Sequence, residues 1–381
     1  MNKWVKGVLP FTAAIGLMLS GCANSASSGG SIRIGLVTAL TGEYTIVGQY
    51  LQEGAALAID EINANGGING RRIETVKEDS ANTNPTAVNA FNKMVNNDKV
   101  VAILGPDLST QLLAVAPIVN KTKIPVLVQG TNPKLTTESS WYFRLRPDDS
   151  IAASAAANFA VQKLNMKKIG ITHDTDEFGS GGTKIIQDTL TSLGATVVGV
   201  EAYNSQDKDL SAQLTNLKNK GAEAIIDWGH PQQSATLMKQ NRQLGVNLPI
   251  VGSPGMAMPA TTSLAGDAVK GVYVVVDTVG KENPDPKVQE WVKKYQAKYN
   301  RQPDFHALAA YDGVYMLSEA LKKSKDLSAQ SIADEMRKIA GYKGIANEFD
   351  FSKSGDGAKQ VMVVQLEDAD RLKLIDTVKA K

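Results

Sequence analysis

Apolar positions along most of this chain follow two rhythms in turn. Residues 32–37 are an aliphatic and β-branched run of the kind that fits a buried strand, and after Thr41-Gly42 the positions Leu51, Ala55, Ala58 and Ile62 recur at helical spacing. Asn65-Gly66-Gly67 stops that helix, 72–76 reads as a second strand, 85–96 as a helix, and 100–104 as an apolar strand. The alternation continues with a short helix closing at 117–119, a strand at 124–128, a helix at 151–164 and a strand at 168–172. Further strands are expected at 196–200, 224–227, 250–252 and 271–276, with helices near 182–193, 210–219 and 231–244 between them. Strands alternating with helices in this way predict a parallel sheet covered on both faces. The chain has 381 residues, more than one such sheet uses at about 150 residues per domain. Two doubly wound parallel sheets of the α/β class are therefore expected, with ligands bound beyond the carboxyl ends of strands. No period of about 20 to 50 residues recurs, which speaks against a solenoid.

The opening segment departs from this alternation. Residues 1–21 hold Lys3 and Lys6, then an apolar run over 8–19 interrupted by Pro10, Thr12 and Gly16, and no acid, which is the layout of a secretory signal. The run is too short to cross a hydrocarbon core of about 30 Å as a helix. Residues 23–31 read ANSASSGGS, without apolar periodicity, and behave as a flexible tether.

Composition and charge narrow the function. Hydrophobic residues at 43% and charged residues at 21% lie in the ordinary globular range, against the disordered, collagen-like and multi-span membrane classes. Lys and Arg number 41 against 39 Asp and Glu, and the net charge of +2 provides no basic field for nucleic acid. Cys22 is the single cysteine, so no internal disulfide can form, and three histidines far apart in sequence give no zinc-ligand spacing, so no metal is expected. No cofactor is expected either. The stretch Phe178-Gly179-Ser180-Gly181-Gly182 follows a strand and opens a helix, but it lacks the G-x-G-x-x-G spacing and its later acid. Neither G-x-x-x-x-G-K-[ST] nor G-x-S-x-G occurs, which removes the usual signs of nucleotide hydrolysis and esterase chemistry. Acid pairs such as Asp174 with Asp176, or Asp368 with Asp370, have the chemistry of a general acid and base but read more simply as solvated loops.

Certain turns and their flanks carry a family resemblance. Leu19-Ser20-Gly21-Cys22 resembles the bacterial lipobox, whose cysteine is lipidated and becomes the new N-terminus. Gly35-Leu36-Val37 with Leu40-Thr41-Gly42, the stretch GAALAIDEINANGG over 54–67, Gly105-Pro106 with Ala116-Pro117-Ile118, and Thr131-Asn132-Pro133 follow in order. Later come His173-Asp174 before Phe178-Gly179, Leu264-Ala265-Gly266-Asp267, and Tyr311-Asp312. From residue 32 to its end the chain thus resembles a periplasmic substrate-binding protein of the branched-chain amino acid (Leu/Ile/Val) type, the receptor component of an ABC importer. The resemblance implies two lobes joined by a three-strand hinge, one made of 32–148 plus 279–355 and the other of 149–278 plus 356–381. It implies a monomeric receptor and no enzyme, anchored through a lipid on Cys22 to the outer face of the plasma membrane or to a periplasmic membrane face. Its partners would be a small amino acid or related carboxylate and an ABC permease with its ATPase.

The resemblance also implies a ligand site. Ser109 and backbone amides near the start of a helix would take the ligand carboxylate, which suits the positive end of a helix; Ser109 could equally serve as a plain helix cap. A carbonyl at Gln129 and the hydroxyl and amide of Thr131 would form the next contact, although Thr131 before Asn132-Pro133 also fits an ordinary turn. Phe178 would face the ligand side chain from the second lobe, or sit in its core. His306 stands where the family places an aromatic ring on the crossover, and could instead be a helix-surface histidine. His230, after Trp228-Gly229, stands where the family places a polar or aromatic contact to the ligand's ammonium, and Tyr44 and Val47 would close over the pocket. The family's second-lobe acid for the α-ammonium aligns with Pro254, which has neither charge nor N–H. Either another acid such as Asp227 or Asp107 serves, or the ligand is no standard α-amino acid. His230 and His306 would also suit an aromatic or keto acid. A ligand sensor of the same fold, and a secreted α/β hydrolase, are the rival functions.

Overall fold

The computed structural model describes residues 30–379, so the expected signal at 1–21 and Cys22 lie outside the described residues. The first sheet is parallel throughout, in the order β2-β1-β3-β4-β5. Its strands are β1 (Ile32–Thr38), β2 (Ile73–Asp79), β3 (Ile103–Leu104), β4 (Val126–Val128) and β5 (Tyr142–Arg144). Between them run α1 (Thr45–Ala64), α2 (Asn84–Lys93), α3 (Ser109–Thr122) and α4 (Lys134–Glu138). β5, three residues ending in a fully buried Arg144, escapes the periodicity because a charged residue closes a very short apolar run. α3 also runs through Pro117, which is exposed, where a helix ending near 117–119 was expected. The prolyl ring is accommodated on the solvent side of the helix.

The chain then crosses to a second sheet. It forms α5 (Asp149–Asn158), β6 (Lys168–Asp174), α6 (Glu177–Ser192), β7 (Thr196–Tyr203), α7 (Ser211–Asn219), β8 (Ala224–Trp228), α8 (Pro231–Gln243), β9 (Ile250–Gly252), α9 (Pro259–Ala265) and β10 (Tyr273–Val276). It returns to the first sheet as α10 (Pro286–Tyr299), α11 (Phe305–Lys323), α12 (Ala329–Arg337) and the small ladder β11 (Tyr342–Lys343) with β12 (Glu348–Phe349). A third passage leads to β13 (Gln360–Leu366) and β14 (Leu372–Lys379), which complete the order β14-β13-β10-β9-β8-β6-β7. β13 runs antiparallel to β10, and β14 antiparallel to β13, so the second sheet is mixed rather than wholly parallel.

Packing explains why each element forms where it does. On β8, Ala224 and Ile226 face one layer of helices and Ile225 the other, the two-residue period of a strand buried on both faces. α5 and α6 cover the first face with Ala152, Ala156, Ile186 and Leu190; α7 and α8 cover the second with Leu214, Leu217, Leu237 and Met238. In the first lobe α1 lies directly on α11, and Gly54 is what allows it. A Cβ at Gly54 would stand 2.0 Å from the Ala307 carbonyl oxygen. The two helices therefore meet backbone to backbone, and α11 begins beside the cleft between the sheets.

Candidate functional site

The strand ends that the α/β topology turns toward one another form the two walls of a cleft of about 480 Å³. The first wall grows from the ends of β3 and β4. α3 starts at Ser109 without a side-chain cap, so its first amides remain available at the positive end of the helix. Ser109 is buried and its Oγ accepts the Asn132 amide at 3.3 Å. Thr131 is buried, and its Oγ1 has no hydrogen-bond partner among the described residues. Asp107 lies just ahead of α3; its Oδ2 accepts the Thr38 hydroxyl at 2.5 Å and the Ala39 amide at 3.3 Å, and burial pushes its carboxyl above the ordinary range. Val47 from α1 and Phe305 and His306 from the start of α11 complete this side. Asp304 caps α11 by accepting the Ala307 amide through Oδ1 at 3.1 Å, while its Oδ2 meets His306 Nδ1 at 2.8 Å.

The second wall consists of Phe178, Gly229, His230, Pro231, Pro254, Gly255 and Met258. A Cβ at Gly229 would lie 1.6 Å from the Tyr203 hydroxyl, so β8 can end this close to β7 only with glycine there. His230 precedes α8, whose N-terminus likewise lacks a side-chain cap and has Pro231 in its first turn. His230 Nε2 is 3.0 Å from Asp176 Oδ2, and Asp176 in turn caps α6 by accepting the Gly179 amide at 2.8 Å. Burial alone would push the His230 imidazolium down, but the carboxylates of Asp176, Asp174 and Glu43 hold its pKa above the ordinary value. Burial works against Asp176 too; His230 and the Gly179 amide nevertheless bring it below the usual carboxylate range. The Phe178 ring lies 5.1 Å from the His230 ring.

The walls touch at the mouth of the cleft. The Tyr44 ring from the first lobe packs 4.7 Å from the His230 ring. Thr110 Oγ1 accepts the Glu177 amide at 3.3 Å, the Asn132 side chain donates to the Glu177 carbonyl, and Gln206 reaches Glu43 at 2.9 Å. Two helix N-termini thus face a space closed from both sides.

Six of the eight expected contact residues line this one cleft: Val47, Ser109, Thr131, Phe178, His230 and His306. Tyr44 reaches it through His230. Gln129 stands behind the lining: it is fully buried, its carbonyl accepts Arg146 Nη1 at 3.2 Å, and its side-chain amide donates to the His306 carbonyl at 3.0 Å. The carbonyl expected to meet a ligand is already engaged. Asp227 is excluded as a replacement acid, because Thr172, Tyr203 and Ser234 occupy its carboxylate deep beneath β8. Asp107 and Pro254 both face the cleft. Arg146 was not anticipated. It lines the cleft, pairs through two nitrogens with Asp277, and lays its guanidinium 4.5 Å from the centre of the Phe305 ring. The signal was a pair of arginines, Arg144 and Arg146, in a stretch otherwise apolar and buried.

Comparison with known proteins agrees with this geometry. A family model described as periplasmic binding protein matches residues 31–371. The chain belongs to this family. Among curated relatives, the leucine-, isoleucine-, valine-, threonine- and alanine-binding protein of Pseudomonas aeruginosa is 26% identical over 323 residues, which is 84% of this chain and 86% of that protein. Among solved structures, a leucine binding protein from Thermotoga maritima has a TM-score of 0.85 at 26% identity, covering 91% of this chain and 99% of its own. The branched-chain amino acid transporter substrate binding protein of Streptococcus pneumoniae, solved with isoleucine, has a TM-score of 0.85 at 27% identity, covering 92% and 99%. This periplasmic binding protein shares with them an architecture of two α/β lobes.

Proposed function

We propose that this binding protein is the extracytoplasmic receptor of an ATP-driven importer and captures a small apolar amino acid, of the branched-chain kind, by its carboxylate. The observation that carries this reading is the convergence of Ser109, Thr131 and the uncapped start of α3 on one side of a cleft whose other side presents Phe178 and His230. Helix N-termini offer unpaired amides and a positive field to an anion. Val47, Phe178, Met258 and Phe305 supply apolar surface for a side chain. Of the relatives named above, one is named for binding leucine, isoleucine, valine, threonine and alanine, another for binding leucine, and a third was solved with isoleucine, which supports a related amino-acid ligand here.

The physical cycle is hinge closure. The lobe of 32–148 plus 279–355 and the lobe of 149–278 plus 356–381 swing about three passages of chain and expel water from the ligand. In a drier site each polar contact is stronger, so closure and binding reinforce one another. The closed form is then what a permease reads; no bond of the ligand is made or broken. The signal-like segment of residues 1–21 and Cys22 at its end support a receptor held to the membrane surface by a lipid.

Two experiments test this reading. A ligand that binds only the folded form raises the melting temperature, by about 2.7 kcal/mol of added stability at 100 times its dissociation constant. Protein refolded from denaturant to remove carried-over ligand should therefore melt higher with leucine, isoleucine or valine; no shift with any amino acid contradicts the proposal. In cells, labelled palmitate should enter the wild type and not Cys22→Ala, and equal labelling of the two removes the anchor.

A further inference from the structure

The second wall offers a ligand's ammonium group no carboxylate. Pro254 has no N–H and no charge, Gly229, Gly255, Met258 and Phe178 carry no acid, and His230 is held toward its cationic form by Asp176 and its acidic neighbours. Asp107 is the acid among the residues that line the cleft; Asp149 and Asp174, which also have buried oxygens without a partner among the described residues, do not line it. Asp227 serves Thr172, Tyr203 and Ser234; Asp277 is paired with Arg146; Asp304 caps α11 and holds His306.

Asp107 differs from these. It lines the cleft, is 7% exposed, and uses Oδ2 for Thr38 and Ala39; its Oδ1 is buried and has no partner among the described residues. A buried carboxylate oxygen left without a donor costs free energy, and a donor entering the cleft would recover it. His306 stands beside it on the same wall. Its Nδ1 faces the Asp304 carboxylate at 2.8 Å.

We infer that Asp107 holds the ammonium group of the bound amino acid from the first lobe, so that carboxylate and ammonium are both recognised by the same wall. This rests on the amino-acid reading above and adds which residue selects for the amine. Burial raises the Asp107 carboxyl when the cleft is empty of cations, and an arriving ammonium restores the charged form. The resulting hydrogen bonds are charge-assisted on both sides.

The test is calorimetric titration of the stripped, refolded protein with L-leucine and with 4-methyl-2-oxopentanoate, which keeps the carboxylate and side chain but lacks the amine. The wild type should prefer leucine by about 30-fold or more, the cost of removing one partner of a buried charged pair. In Asp107→Asn, which can still accept from Thr38 and Ala39, leucine should lose most of that advantage while the oxo acid binds as before or better. An unchanged preference in Asp107→Asn overturns the assignment. A wild type that favours the oxo acid also overturns it, while leaving the carboxylate receptor intact; binding of neither compound overturns both. Should Asp107→Asn fail to fold, Asp107→Ser, whose hydroxyl can still accept from Thr38, is read in the same way: a reduced leucine preference supports the inference, and an unchanged one overturns it.

Discussion

At the scale of residues, the His230–Asp176 pair has a sign that can be checked. His230 holds its proton more tightly in the folded protein than in the unfolded chain, where its pKa is about 6.5. Its contribution to stability is therefore fully present below about pH 6.5 and is lost as pH rises through the raised folded value. Asp176, lowered in the folded protein, contributes above about pH 4 and loses that contribution as pH falls through its folded value. Both contributions coexist in mildly acidic solution. Scanning calorimetry of the ligand-free protein should show the wild type losing melting temperature from about pH 6 to about pH 8 relative to His230→Gln; parallel curves would refute the pairing. The residues of the site were unequally legible in the sequence. Ser109 and Thr131 were named through the family resemblance, by counting along the turns after two apolar strands, and both line the cleft. What sequence does not reveal is that three hydroxyls occupy the Asp227 carboxylate and that Arg146 already donates to the Gln129 carbonyl.

Elements were legible where burial imposes a period. α1 shows itself through Leu51, Ala55, Ala58 and Ile62, all buried on one face. β13 and β14 were missed, since they form an antiparallel pair at the sheet's outer side and β14 alternates partly buried with exposed residues rather than reading as an apolar run. The α1–α11 contact is the element-scale device that sets the first wall, because α11 delivers Phe305 and His306 to the cleft. Gly54→Ala forces a methyl into the Ala307 backbone. Overpacking of this kind costs about 1–3 kcal/mol, so the urea midpoint should fall by a corresponding amount. An unchanged midpoint would mean that the two helices slide apart freely.

For the whole molecule, the three passages of chain between sheets decide how the walls can move. Arg146 on the first passage is bound to Asp277 on the second, with both side chains nearly fully buried, which ties two of the three together next to the ligand. Breaking one partner of such a pair would leave a buried charge alone, so the pair holds these two passages together. Contacts of Thr110 and Asn132 with Glu177, and of Tyr44 with His230, join the two walls directly. The central claim is that these walls close on a carboxylate held at the start of α3. It is tested most directly by calorimetric titration of leucine into the stripped protein, wild type beside Ser109→Ala and Thr131→Ala. The account predicts saturable binding of one leucine per chain, weakened by about 1–3 kcal/mol in each variant; wild-type affinity in both variants would contradict it.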